Sequence, residues 1–229
     1  MAVDYRYIRN EASYLPVAKA ALAMRFPLSV DFDTFYSGIS TPERRSSFLR
    51  AASVYYYMVK KGDWIVDAPD CNPVIGYFTN SYKAVGIFAI IESLSDGSHQ
   101  DFHTWLQTDT STTFPIANAS ALAALHEQYK LTFGSIRRCT SFFGRLSASK
   151  QAELCSAVEI DHTPVQNIKK LAEFLYNIRS KFVHEAELVL ELSGPTHHFG
   201  RKKLLHTKLT MSLFFSAFEE GLVAYFSEA

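Results

Sequence analysis

Cysteine is scarce in this 229-residue chain. Cys71, Cys139 and Cys155 are widely spaced and form no C-x-x-C pair. That argues against a disulfide framework and against a thiolate zinc site, and it suits a reducing compartment. An excess of charge is missing too: 23 Lys and Arg balance 23 Asp and Glu. A strongly basic protein that coats nucleic acid is disfavoured, while a local basic patch stays possible. The longest apolar run of the first half, residues 84–91, is too short to span a bilayer. Residues 1–7 have no signal-peptide layout. The expectation is a soluble cytoplasmic protein without a membrane partner. No P-loop, G-x-G-x-x-G or G-x-S-x-G pattern occurs, so NTP hydrolysis, Rossmann cofactors and serine hydrolase chemistry find no support. Internal repeats and low-complexity segments are also lacking.

What is present is an ordinary globular balance, 48% apolar and 20% charged, with 18 Phe and 12 Tyr to build an aromatic-rich core. Helical signals dominate, and the expected fold class is all-α. A first helix is read over residues 10–25. A second starts at Thr41-Pro42-Glu43, where a capping hydroxyl, a first-turn proline and an acid coincide, and it stops at Gly62. Residues 62–79 are the least helical stretch, with Trp64-Ile65-Val66 and Val74-Ile75 as candidate short strands. Further helices are expected over 80–95, 100–107, 118–132, 135–146 and 149–159.

Thr163-Pro164-Val165-Gln166 reads as a capping box that opens a long helix. Ile168, Leu171, Leu175, Ile178, Phe182, Ala186 and Val189 form its core-facing stripe, and Ser193-Gly194-Pro195 ends it. Residues 196–203 read as a connector to a last helix over 204–228, which is either central in a bundle or covered by another subunit. The chain thus divides into an N-terminal helical extension (1–61), a connecting segment (62–79) and a helical domain (80–229).

Within the long helix lie Arg179 and His184. Arginine holds phosphate oxygens through a planar, permanently charged fork, and histidine exchanges a proton near neutral pH. At 100° per residue Arg179 falls at the edge of the apolar stripe. His184 falls on the far side, in a polar seam with Glu173, Asn177 and Ser180. The two diverge by about 140° around the helix and about 7.5 Å along it. They can act on one atom only if the helix bends or if a symmetric partner brings a second pair to the same cleft. On spacing alone, a solvated helix face is the plainer reading.

The remaining candidates are weaker. His99 and His103 sit one turn apart but lack the rest of an H-E-x-x-H pattern, so a surface turn outweighs a metal site. His197-His198 with Arg201-Lys202-Lys203 suits a solvated basic loop better than an RNA-contact loop. Arg137-Arg138 and Lys169-Lys170 read as solvated faces, and Tyr55-Tyr56-Tyr57 as packing. Glu92, within an apolar helix, reads as helix-edge exposure, with burial against a cation such as Arg179 as the alternative.

The segment Phe174-Leu175-Tyr176-Asn177-Ile178-Arg179-Ser180-Lys181-Phe182-Val183-His184 resembles the signature helix of HEPN-domain proteins: Arg, four to six residues, then His. Its context is similar to the ApeA-like HEPN group. Residues 87–94, with Glu92 and Leu94, resemble that group's apolar Glu-x-Leu helix, and residues 131–146 resemble the helix before the signature helix. The resemblance covers roughly residues 75–226. Two positions depart from the pattern: Ser180 stands where many active members have Asn, Asp or His, and Glu185 where Gly is common.

The resemblance implies an all-α, HEPN-like up-down bundle over residues 80–229, working as a homodimer. It implies a metal-independent endoribonuclease without a cofactor, in phage-defence, toxin–antitoxin or stress settings, with RNA as substrate and a protein such as an antitoxin as partner. Arg179 would bind the scissile phosphate, and His184 would be general acid or base as the ribose 2′-OH attacks to leave a 2′,3′-cyclic phosphate. Asn177 and Ser180 would support them. Other members of the family are inactive RNA-binding or dimerisation modules, which is the alternative function; a nucleotide-binding regulator is a third.

Overall fold

The computed structural model describes residues 10–63, 72–94, 100–112, 116, 118–186, 192–200 and 203–228. Most of them are helical, in keeping with the expected class. The helices are α1 (Glu11–Ala21), α2 (Ser29–Ser37), α3 (Pro42–Val54), α4 (Asn72–Ser93), α5 (Phe102–Thr108), α6 (Ala119–Phe133), α7 (Ser135–Gly144), α8 (Ala148–Ser156), α9 (Ile168–Glu185) and α10 (Met211–Ser227). Among the described residues no helix is long and apolar enough to cross a membrane.

A small antiparallel sheet accompanies the helices, which the sequence reading did not anticipate. Its strands are β1 (Val158–Ile160), β2 (Thr163–Pro164), β3 (Thr196–Gly200) and β4 (Lys203–Thr207), in the order β2-β1-β4-β3. Glu159 faces Pro164 on one side of β1 and His206 on the other. Three expectations change as a result. Thr163-Pro164 is a strand rather than a helix cap, because Asp161 and His162 take left-handed conformations (φ 51° and 62°) that fold β1 back onto β2. Two successive positive-φ residues match the twist of a hairpin. Residues 196–200 and 203–207 pair as strands where a basic loop and a helix start were expected. Leu205, Thr207 and Leu209 are buried at every second position, a period of two that suits a strand. The last helix therefore begins only at Met211, capped by Thr210, whose Oγ1 accepts from the Leu213 amide.

The other boundary changes are smaller. Expectation placed residues 72–79 in a connecting segment, but α4 already begins at Asn72, and Val74-Ile75 are helical rather than strand. Pro73 lies in the first turn, where its missing N–H costs no hydrogen bond. Trp64-Ile65-Val66 lie outside the described residues. The second helix starts as expected, with Thr41 Oγ1 accepting from the Arg44 amide at 3.2 Å. Its end is wider: Tyr55–Lys60 form a π-helical turn.

Residues 10–61 share one hydrophobic core with the rest of the chain. Phe48 of α3 packs edge-on against Phe226 of α10, and Tyr55 meets Phe218 at 4.8 Å. Phe48, Phe88, Phe143, Phe214 and Phe218 are fully buried. Each such side chain stabilises the fold by about 1.5–3 kcal/mol through area removed from water. Residue Glu219 lies deep in this core, 3% exposed, and its Oε1 accepts from Tyr55 Oη (2.7 Å) and Lys60 Nζ (2.8 Å). Helix α10 is thus central, and α7 packs directly on it. A Cβ at Gly221 would lie 2.5 Å from the Phe142 ring, so only glycine permits that approach.

Candidate functional site

Helix α9 begins where Asn167 Oδ1 accepts from the Lys170 amide at 3.0 Å. Leu171, Ala172, Leu175 and Ile178 then bury one face against α7, α8 and α4. The helix closes at Ala186, which takes a left-handed conformation (φ 55°) and donates its N–H to the Phe182 carbonyl. Its described length is about 27 Å at 1.5 Å per residue, well short of the rod expected through residue 193.

Arg179 stands at the edge of the buried stripe. Its Nη2 lies 3.4 Å from Glu92 Oε1, with the two side chains 16% and 25% exposed. The guanidinium carbon lies 5.5 Å from the Tyr176 ring centroid. Of the two readings of Glu92, burial against Arg179 is therefore the one realised. Arg138 of α7 approaches the same place and donates from Nη1 to the Glu92 carbonyl at 3.1 Å. Arg138 is half-buried rather than solvated, which corrects the sequence reading for this residue. The Nε atoms of Arg138 and Arg179 are buried without an acceptor among the described residues. Beside them Cys139 is fully buried, and burial first, then the Glu92 charge, pushes its thiol up to about 12 against the pull of Arg179 and Arg138.

The helix seam faces outward. Glu173 and Ser180 are half-buried, while Asn177 and His184 are exposed. His184 sits in the last turn of α9 and makes no hydrogen bond or ion pair with a described residue. Val183 beside it is exposed, as are Phe78 and Tyr82 of α4. Tyr82 touches Phe182 edge-to-face at 5.2 Å, which ties α4 to the last turns of α9. Within the chain, Arg179 is brought to Glu92 and not to His184.

Between α4, α9 and α10 lies a cavity of about 20 Å³ lined by Ser81, Phe88, Ile178, Arg179 and Phe214. That is room for about one water molecule next to the arginine stem. A wide groove of about 780 Å³ opens on the other side of α9, where Lys169, Glu173 and Tyr176 face Lys130 and Arg137. Lys169 and Lys170 are exposed, as read from the sequence. His103 lies on α5, and His99 lies outside the described residues. No group of three or more His, Cys, Asp or Glu suited to a metal occurs among the described residues.

The sequence reading missed Arg138 and Cys139 as members of this cluster. A usable signal was there: Cys139, Phe142 and Phe143 recur on one face of α7, and Arg138 flanks that face. In comparisons with known proteins, no family model matches the chain, and no curated protein or solved structure matches it.

Proposed function

We propose that this chain is a HEPN-like, metal-independent endoribonuclease that acts as a homodimer in the cytoplasm. Arg179 binds the scissile phosphate. His184 takes the proton of the ribose 2′-OH, or delivers one to the leaving 5′ oxygen, as O2′ bonds to phosphorus and the P–O5′ bond breaks. The products carry a 2′,3′-cyclic phosphate and a 5′-hydroxyl. Unpaired thiols such as Cys139 and Cys155 suit that reducing setting.

The observation that carries this reading is the exposure of His184 at the end of α9, where Val183 is exposed too, together with the exposed Phe78 and Tyr82 of α4. A second copy docked over this end of α9 would set two His184 side chains at one cleft and complete a site that a single chain leaves open. The pairing of Arg179 with Glu92 favours a second reading, a non-catalytic module that binds RNA or a protein, because that guanidinium is already engaged.

Purified protein incubated with RNA in EDTA separates the two. Cleavage that survives chelation and is lost in Arg179→Ala and in His184→Ala supports the nuclease. Mixing the two inactive variants restores cleavage if Arg179 and His184 work across the dimer. RNA that stays intact while binding persists sinks the enzyme reading in favour of the module.

A further inference from the structure

Three arginines line a pocket of about 250 Å³ between α4, α6, α7 and α10, which shares Arg137 and Ser141 with the wide groove. Arg137 and Arg138 project from consecutive positions of α7, and Arg145 follows its last residue. Arg138 and Arg145 are two helical turns apart and share a side of the helix, with Ser141 between them. Thr132 of α6 and Tyr225 of α10 also line it, with the Tyr225 hydroxyl donating to the Leu94 carbonyl. We propose that this pocket binds a phosphate group.

The charges facing it leave a surplus of cation. Glu228, 54% exposed, is the carboxylate held at the rim: Arg145 Nε donates to both of its oxygens at 3.0 Å. Glu92 accepts from Arg138 through its backbone carbonyl, and its carboxylate lies against Arg179. Arg137 has no hydrogen bond or ion pair among the described residues. Among the described residues the lining thus carries three guanidinium groups and no carboxylate, and Glu228 is bonded to one of the three. Like charges this close destabilise one another in a partly desolvated site, and an anion removes that cost.

Geometry selects the kind of anion. Arg145 is held in place before any ligand arrives, since Nη1 donates to the Ser141 carbonyl (3.0 Å) and hydroxyl (2.8 Å), and its guanidinium lies 5.1 Å from the Tyr225 ring centroid. Arg138 is fixed by the Glu92 carbonyl, to which Nη1 donates at 3.1 Å. With Nε and Nη1 of Arg145 and Nη1 of Arg138 already engaged, and Arg138 Nε buried, Nη2 of each and the Arg137 fork are the donors left among the described residues. Donors from three side chains around one cavity suit a tetrahedral oxyanion with several oxygens. The volume falls below that of drug-sized ligand sites, about 300–1,000 Å³, and accommodates a phosphate or diphosphate without a large organic body.

Two sources supply this chemistry: a small free phosphate compound, or a backbone phosphate of an RNA strand. The second source rests on the proposed function; the first does not. The test is calorimetric titration at constant ionic strength with sodium pyrophosphate and, separately, with a short single-stranded RNA bearing a 5′-hydroxyl. Arg137→Ala and Arg145→Lys are compared with the parent after circular dichroism shows them folded. Loss of charge-assisted hydrogen bonds is expected to weaken binding about tenfold or more in both variants. A sensitive pyrophosphate arm assigns a free phosphate ligand, and a sensitive RNA arm alone assigns a strand. Binding of neither probe, or binding unchanged in both variants, overturns the proposal. The pyrophosphate arm involves no RNA, so failure of the pocket and failure of the nuclease reading remain distinct.

Discussion

Arg179 on α9 and Glu92 on α4 form an ion pair with Nη2 3.4 Å from Oε1, at a seam that is neither fully buried nor open to water. Exposed pairs contribute about 0–1 kcal/mol, and breaking a fully buried pair costs about 3–5 kcal/mol. With side chains 16% and 25% exposed, Glu92→Ala is expected to lower stability by about 1–2 kcal/mol. Urea unfolding would measure this. The same variant frees Arg179, so RNA binding should tighten. Weaker RNA binding in a folded Glu92→Gln protein would count against Arg179 as the residue that holds phosphate.

The Glu219 carboxylate should be far less forgiving. It is 3% exposed and accepts from Tyr55 and Lys60 through one oxygen. Glu219→Ala leaves the Lys60 ammonium, whose side chain is 20% exposed, with the Ala21 carbonyl but no counter-charge, and is expected to cost about 2–3 kcal/mol. Tyr55→Phe removes one hydrogen bond and should cost about 1 kcal/mol. A thermal melt in which Glu219→Ala matches the parent would refute the assignment.

Gly221 sets the distance between α10 and α7. A methyl there would sit 2.5 Å from the Phe142 ring, and Phe142 is itself buried. Gly221→Ala should destabilise by about 1–3 kcal/mol, despite the better helix propensity of alanine. Combining it with Phe142→Leu, which makes room, is expected to recover part of the loss.

Glu220 supplies a pH dependence. Burial raises its pKa, but the Ser147 amide and hydroxyl and the Arg25 guanidinium outweigh that, so the carboxyl titrates below its ordinary value of 4.5. A carboxylate lowered in the folded state stabilises fully above the unfolded value, and that stability is lost as pH falls through the folded value. The stability difference between the parent and Glu220→Gln should therefore be constant near neutrality and shrink below pH 4.5. A difference that grows on acidification would reverse the sign of the assignment.

Sequence legibility followed the range of the interaction. The Thr41 cap and the edge position of Arg179 depend on residues within one or two turns, and both were readable. At Thr163 a local signal was overruled: the capping pattern was good, but Asp161 and His162 reverse the chain there and Asn167 caps α9 instead. The sheet escaped because its strands have two to five residues, too few for a period of two to stand out. Arg138 escaped for a different reason. Whether an arginine beside a buried cysteine faces water or a carbonyl of another helix is decided by tertiary packing alone. The same holds for the outward position of His184: a helical wheel places it away from its own core, and only a second chain would say what it faces.

The contacts between α3 and α10 also bear on the order in which the chain can fold. Arg44 donates to the carbonyls of Tyr225 and Glu228, Phe48 packs on Phe226, and Tyr55 is bonded to Glu219 across 164 residues. The early helices thus leave the ribosome with their aromatic faces uncovered, and the surface that covers them is made much later. Helix α10 is the piece that closes the core, and until it docks the nascent protein presents Phe48 and Tyr55 to whatever else is nearby.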